Sequence, residues 1–115
     1  MAERTAEAVV IGGGVNGTSI AFHLAKAGLR DVVLLERWNL GAGATGKSGA
    51  LVRMHYSNIA ETQLAFESLK YIENWSDMVG GDCGFHQGGT LVFASREHRD
   101  HLEATLAIQR EVGVN

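Results

Sequence analysis

The run Ala8-Val9-Val10-Ile11 is continuously apolar, rich in β-branched side chains, and stops at consecutive glycines. So short a run predicts a strand, and one covered on both faces, because no polar position alternates with the apolar ones. From Val15 to Ala27 the period changes, and Ile20, Leu24 and Ala27 fall on one helical face. Ala21 and Ala25 are small enough to let that helix lie close to a sheet, and Gly28 stands where a left-handed residue would end it. Val32-Val33-Leu34-Leu35 repeats the first pattern and ends at Glu36. Strand, helix and strand within about 30 residues make a βαβ unit, whose two strands run parallel.

Residues 37–50 show no period and read as a loop with one helical turn, and Leu51 to Tyr56 reads as extended. Asn58, followed three residues later by Glu61, has the form of a capping box. The helix it opens is predicted to run to about Met78, with Ala65, Leu69, Ile72 and Val79 along one stripe, and to stop at Gly80-Gly81. Thr90 to Ala94 reads as a third strand. Ser95 is placed to cap a last helix from Arg96 to Val112, with Leu102, Leu106 and Gln109 in register and Gly113 as its stop. Trp38, Phe66, Tyr71 and Trp75 are expected to pack the core.

The chain has 115 residues, enough for one small domain or a portion of a larger one. A net charge of -3 gives no basic footprint, so nucleic acid and anionic membrane surfaces are not expected partners. No apolar run approaches a membrane span. Cys83 is the single cysteine, which excludes an internal disulfide and suggests a reducing compartment. Glu3, Arg4 and Glu7 make the first residues unlike a signal peptide, so the expected location is cytoplasmic. His23, His55, His86, His98 and His101 lack the spacing of a ligand set; they read as surface residues, and no metal is expected.

The glycines cluster. Gly12-Gly13-Gly14-Val15-Asn16-Gly17 fits G-x-G-x-x-G, between a predicted strand and a predicted helix. Gly12 allows the tight turn, Gly14 lets a pyrophosphate approach the backbone, and Gly17 lets helix and strand pack closely. The helix N-terminus, with Val15 and Asn16, offers free N–H groups and a positive dipole end to phosphates. Glu36 ends the second strand, where a carboxylate accepts hydrogen bonds from an adenosine ribose and disfavours a 2′-phosphate. The fold class is therefore α/β, a Rossmann-like parallel sheet with a βαβ dinucleotide-binding unit.

A second cluster, Gly41 to Ser48, matches G-x-x-x-x-G-K-[ST], the phosphate loop of nucleotide hydrolases. That loop should leave a buried strand directly and open a long helix. Here Arg37 to Leu40 intervene, and Gly49-Ala50-Leu51-Val52 opens no such helix. Folding back over the same pyrophosphate suits the segment better, with Thr45, Ser48 and the N–H groups from Gly46 onward as donors. A second cradle favours FAD over NAD. An NAD-type binding module without flavin, and a phosphate-loop hydrolase using Gly41–Ser48, stay as alternatives.

The strings V-V-I-G-G-G-V-N-G, L-A-K-A-G, V-V-L-L-E-R and G-A-G-A-T-G-K-S-G-A-L-V-R resemble the D-amino-acid oxidase superfamily of FAD enzymes. Within it, the chain is most similar to the sarcosine oxidase β-subunit and dimethylglycine dehydrogenase group, and G-F-H-Q-G-G-T-L-V-F-A-S resembles the segment after that group's long helix. The resemblance implies that Gly12, Gly14 and Gly17 line the pyrophosphate and that Glu36 holds the ribose, with Arg37 beside it. It implies that Gly43, Ala44, Thr45, Gly46, Lys47 and Ser48 run along the cofactor toward the flavin. Arg53 matches an arginine that grips a substrate carboxylate, a task suited to a planar two-pronged donor.

Lys47 stands near where dimethylglycine dehydrogenases carry a flavin-linked histidine, so non-covalent FAD is implied. The implied reaction takes a hydride from the carbon of a substrate C–N bond to the flavin N5. The imine left behind is hydrolysed by water. The substrate would be a small amine or N-methyl amino acid. Family members are much longer, so residues 1–115 read as an N-terminal FAD-binding portion, with 82–95 starting the substrate domain or a peripheral sheet. Such a portion is expected to be inactive alone and to work with other subunits or a missing C-terminal part.

Overall fold

The structure, a computed structural model, describes residues 5–114. Most of the polar stretch read as unlike a signal peptide lies outside them. Two compact units divide the chain, one reaching Leu51 and the other starting at Val52.

In the first unit, β1 (Ala8–Ile11) and β2 (Val32–Leu35) pair in parallel, with Ala8 opposite Val32 and Ile11 opposite Leu35. They are joined by α1 (Val15–Lys26). The Gly12 N–H donates to the Leu35 carbonyl at 2.8 Å, extending the ladder by one residue into the turn. Gly28, at φ +104°, ends α1 as the sequence predicts. Its N–H reaches Ala25 O (3.0 Å) and the Leu29 N–H reaches Leu24 O (3.2 Å), so the last carbonyls are satisfied. At the opposite end of the sheet, the Glu7 carboxylate accepts from the Arg30 N–H (2.7 Å) and the Asp31 N–H (3.0 Å). The Asp31 and then the Arg30 amide hold that carboxyl below its ordinary range.

Two expectations about packing change. Val10 is buried, but Val9 and Ile11 are 54% and 85% exposed, because the single helix of this unit covers one face of a two-stranded sheet. On α1, Ile20 is exposed and the less accessible stripe is Gly17, Ala21 and Leu24. Gly17 and Ala21 on that stripe are small and allow a close approach, while Ile20 points away from it.

The second unit holds α2 (Ile59–Glu73), α3 (Trp75–Met78) and α4 (Arg99–Val112). Asn58 caps α2: its Oδ1 accepts from the Glu61 N–H (2.9 Å) and its Nδ2 donates to Glu61 Oε2 (2.7 Å). Asn58→Ala should therefore cost about 1 kcal/mol of stability, read as a lower urea midpoint with an unchanged slope. The single helix predicted to Met78 breaks at Asn74, whose Nδ2 donates to the Lys70 carbonyl at 2.8 Å while its backbone leaves helical angles. Helices α2 and α4 pack on each other. Thr62 and Thr105 are buried, and each hydroxyl donates to its own helix, to Asn58 O and His101 O.

The segment Thr90–Ala94 forms no strand: no neighbour among the described residues offers a ladder, and Leu91 and Phe93 stay exposed. Ser95 does not cap a backbone N–H either. Its Oγ lies 2.9 Å from His98 Nδ1, and a 3₁₀ turn over Arg96–His98 precedes α4.

Candidate cofactor-binding site

The site grows from the turn between β1 and α1. A methyl group on Gly17 would overlap the carbonyl oxygen of Gly12 and lie 3.0 Å from its carbon. The absence of a side chain there is what lets α1 start directly over the strand end. Gly14 is the N-cap, and the first intrahelical bond runs from the Thr18 N–H to Gly14 O at 2.9 Å. The Val15 N–H donates to Thr45 Oγ1 at 2.9 Å. The N–H groups of Asn16 and Gly17 meet no acceptor among the described residues. Bare amides at a positive helix end favour an anion.

The second glycine segment folds back onto this turn. The Gly41 N–H donates to Gly13 O (2.9 Å), and the Gly46 N–H donates to Gly41 O (2.7 Å). A methyl group on Gly46 would stand 2.5 Å from the Gly41 carbonyl oxygen. Residues Thr45–Lys47 form one 3₁₀ turn and the chain leaves it extended at Ser48, so no long helix follows as a hydrolase phosphate loop requires. Between the two segments lies an open cleft of about 430 Å³, walled by Ile11 and the Gly12–Gly17 turn on one side and by Ala44, Thr45 and Ser48 on the other.

Glu36 faces the same turn. Its Oε2 accepts from the Gly13 N–H at 2.7 Å and its Oε1 from the Trp38 N–H at 2.9 Å. These donors, Gly13 the stronger, hold its carboxyl below the usual glutamate range, and Arg37 adds a smaller push in the same direction. A carboxylate has about four acceptor sites, so lone pairs remain for ribose hydroxyls.

Among the residues singled out in the sequence, Gly12, Gly14, Val15, Asn16, Gly17, Ala44, Thr45 and Ser48 come together on the cleft. Gly43, Gly46 and Lys47 are exposed and lie off its wall. Arg53 belongs to the second unit, exposed, its guanidinium 5.4 Å from the Tyr56 ring centre. Two residues were missed. Ile11 lines the cleft, and Gly13 is the buried glycine that binds Glu36. A methyl group on Gly13 would fall 2.6 Å from Leu40 Cδ2 and 3.1 Å from Glu36 Cβ, and the signal in the sequence is a glycine at the middle of three, a position the G-x-G-x-x-G pattern leaves open. Trp38 was expected in the core and is 68% exposed. A smaller cleft of about 250 Å³ in the second unit is lined in part by His55, Phe93, His98 and His101. Among the described residues no group of His, Cys, Asp or Glu is placed to hold a metal ion.

The model of one protein family, described as FAD dependent oxidoreductase, matches residues 7–115. The chain belongs to the FAD-dependent oxidoreductase family. It is 43% identical to the mitochondrial dimethylglycine dehydrogenase of Rattus norvegicus, over 82% of this chain and 11% of that protein. It is 34% identical to the mitochondrial sarcosine dehydrogenase of Homo sapiens, over 96% of this chain and 12% of that protein. The crystal structure of L-proline dehydrogenase from P. horikoshii superposes with a TM-score of 0.86 at 30% identity, covering 96% of this chain and 29% of that one. The chain thus spans about a tenth of the length of these curated relatives. Its fold is a partial Rossmann-like α/β unit within the FAD-dependent oxidoreductase family, whose members use FAD.

Proposed function

We propose that this chain supplies the ADP- and pyrophosphate-binding part of an FAD-dependent oxidoreductase that oxidises the C–N bond of a small amine or N-methyl amino acid. The observation that carries the reading is the convergence of the Gly12–Gly17 amides, Thr45 and the Glu36 carboxylate around one turn. The amides of Asn16 and Gly17 would hold the pyrophosphate, and Glu36 would hold the ribose. The segment from Gly43 to Ser48 would run along the cofactor, with Lys47 supplying positive charge and no covalent link. Bound FAD would supply the hydride acceptor for C–N oxidation. Arg53 would grip a substrate carboxylate. Named relatives act on dimethylglycine and sarcosine, which supports a small amino-acid substrate.

Titration of the 115-residue chain with FAD, ADP and NAD tests this reading. FAD is expected to bind at least about tenfold tighter than NAD, a difference of about 1.4 kcal/mol. A preference for NAD would replace it with the NAD-type module. A phosphate-loop hydrolase would instead cleave ATP and lose that activity in Lys47→Ala; no ATP hydrolysis above background is expected.

A further inference from the structure

We infer that Trp38, braced by Arg37, is the stacking platform for the adenine base, an assignment that rests on the ADP-binding reading above. Tryptophan is the largest apolar side chain, and an exposed one calls for a reason where an exposed leucine does not. Trp38 is 68% exposed although the loop around it is tightly tied. Its own N–H is bonded to Glu36 Oε1 at 2.9 Å, so its backbone is held at the carboxylate that would take the ribose hydroxyls. The adenine base is one glycosidic bond from that ribose. The Arg37 guanidinium lies 4.3 Å from the centre of the Trp38 ring. A cation at that distance holds the ring in place through its quadrupole, and the exposure of the ring gives a flat aromatic partner room to stack.

Glu36, Arg37 and Trp38 therefore act in sequence: the first takes the sugar, the second orients the third, and the third takes the base. Every base has a π face, so the platform contributes affinity for the nucleoside without reading its edge.

The test uses the full 115-residue chain with two probes, ADP and inorganic pyrophosphate, and reads intrinsic fluorescence alongside affinity. Trp75→Phe leaves Trp38 as the sole tryptophan, and ADP is expected to quench its emission while pyrophosphate is not. Trp38→Ala should weaken ADP by roughly 10- to 100-fold and leave pyrophosphate binding unchanged. Trp38→Phe, which keeps a π face, should restore ADP to within about threefold of the parent chain. Unchanged ADP affinity in Trp38→Ala would overturn the platform while leaving the ADP site intact. Equal losses of ADP and pyrophosphate would make Trp38 a structural residue and overturn the platform too. A folded parent chain that binds neither probe would remove both this assignment and the reading beneath it.

Discussion

Gly17→Ala is expected to abolish ADP binding and to destabilise the first unit by about 3 kcal/mol or more, the upper end of what overpacking costs. The new methyl group meets the backbone carbonyl of Gly12, not the end of a flexible side chain, so no rotamer change relieves the overlap. Either α1 must lift from β1 or the turn must open, and both displace the Asn16 and Gly17 amides that face the cleft. The loss is large against the 5–15 kcal/mol that whole domains command. It is larger still here, because Val10 is the one buried apolar side chain among the described residues. Urea denaturation followed by far-UV circular dichroism, with ADP titration of the same sample, measures both effects. A variant that unfolds at the parent's midpoint and binds ADP within threefold would show that α1 does not approach the turn this closely.

The contrast between Gly17 and Trp38 shows which parts of the fold were legible in the sequence. Gly17 was assigned from local pattern, because the constraint on it is local: strand, tight turn and helix are contiguous, and their spacing admits little freedom. The same holds for β1, β2, the Gly28 stop and the Asn58 cap, each set by residues within a few positions of one another. What pattern could not supply is whatever depends on a partner distant in the chain. The segment Thr90–Ala94 has strand composition, but a strand exists only with a neighbour, and the described residues hold none. Composition puts Val9 and Ile11 in a strand covered on both faces, because it reports that a strand can be buried, not which element covers it. Its aromatic bulk puts Trp38 in the core, and bulk says nothing of which element would cover it. The bond from Thr45 to the Val15 N–H, which joins the two glycine segments, spans thirty positions. Sequence reasoning placed Thr45 at the cofactor but gave no sign that the protein itself would take that helix-end donor.

Glu36→Gln is expected to weaken ADP roughly 10- to 100-fold, the range for losing hydrogen bonds to a charged group, and to weaken inorganic pyrophosphate by less. The carboxylate accepts from two backbone donors and still has sites for the ribose. An amide has one acceptor oxygen, so its NH2 must face either the Gly13 or the Trp38 N–H, donor against donor. The turn loosens on one side whichever way the amide is set. Protonation should act in the same direction. Because the folded carboxyl sits below its ordinary range, the unfolded chain takes up the proton first. The stability Glu36 contributes is therefore complete above the usual glutamate range and is lost as pH falls through the lower folded value. Glu7 is shifted the same way by its own amide partners, so part of the acid sensitivity persists in Glu36→Gln and should fall further when Glu7→Gln is added. Selectivity separates the ribose role from this structural one. The parent chain should reject 2′-phosphorylated ADP by repulsion between two anions, and Glu36→Gln should bring its affinities for the two nucleotides together. If the variant loses ADP but keeps the parent's preference against the 2′-phosphate, the carboxylate is only bracing the turn, and the ribose is held elsewhere.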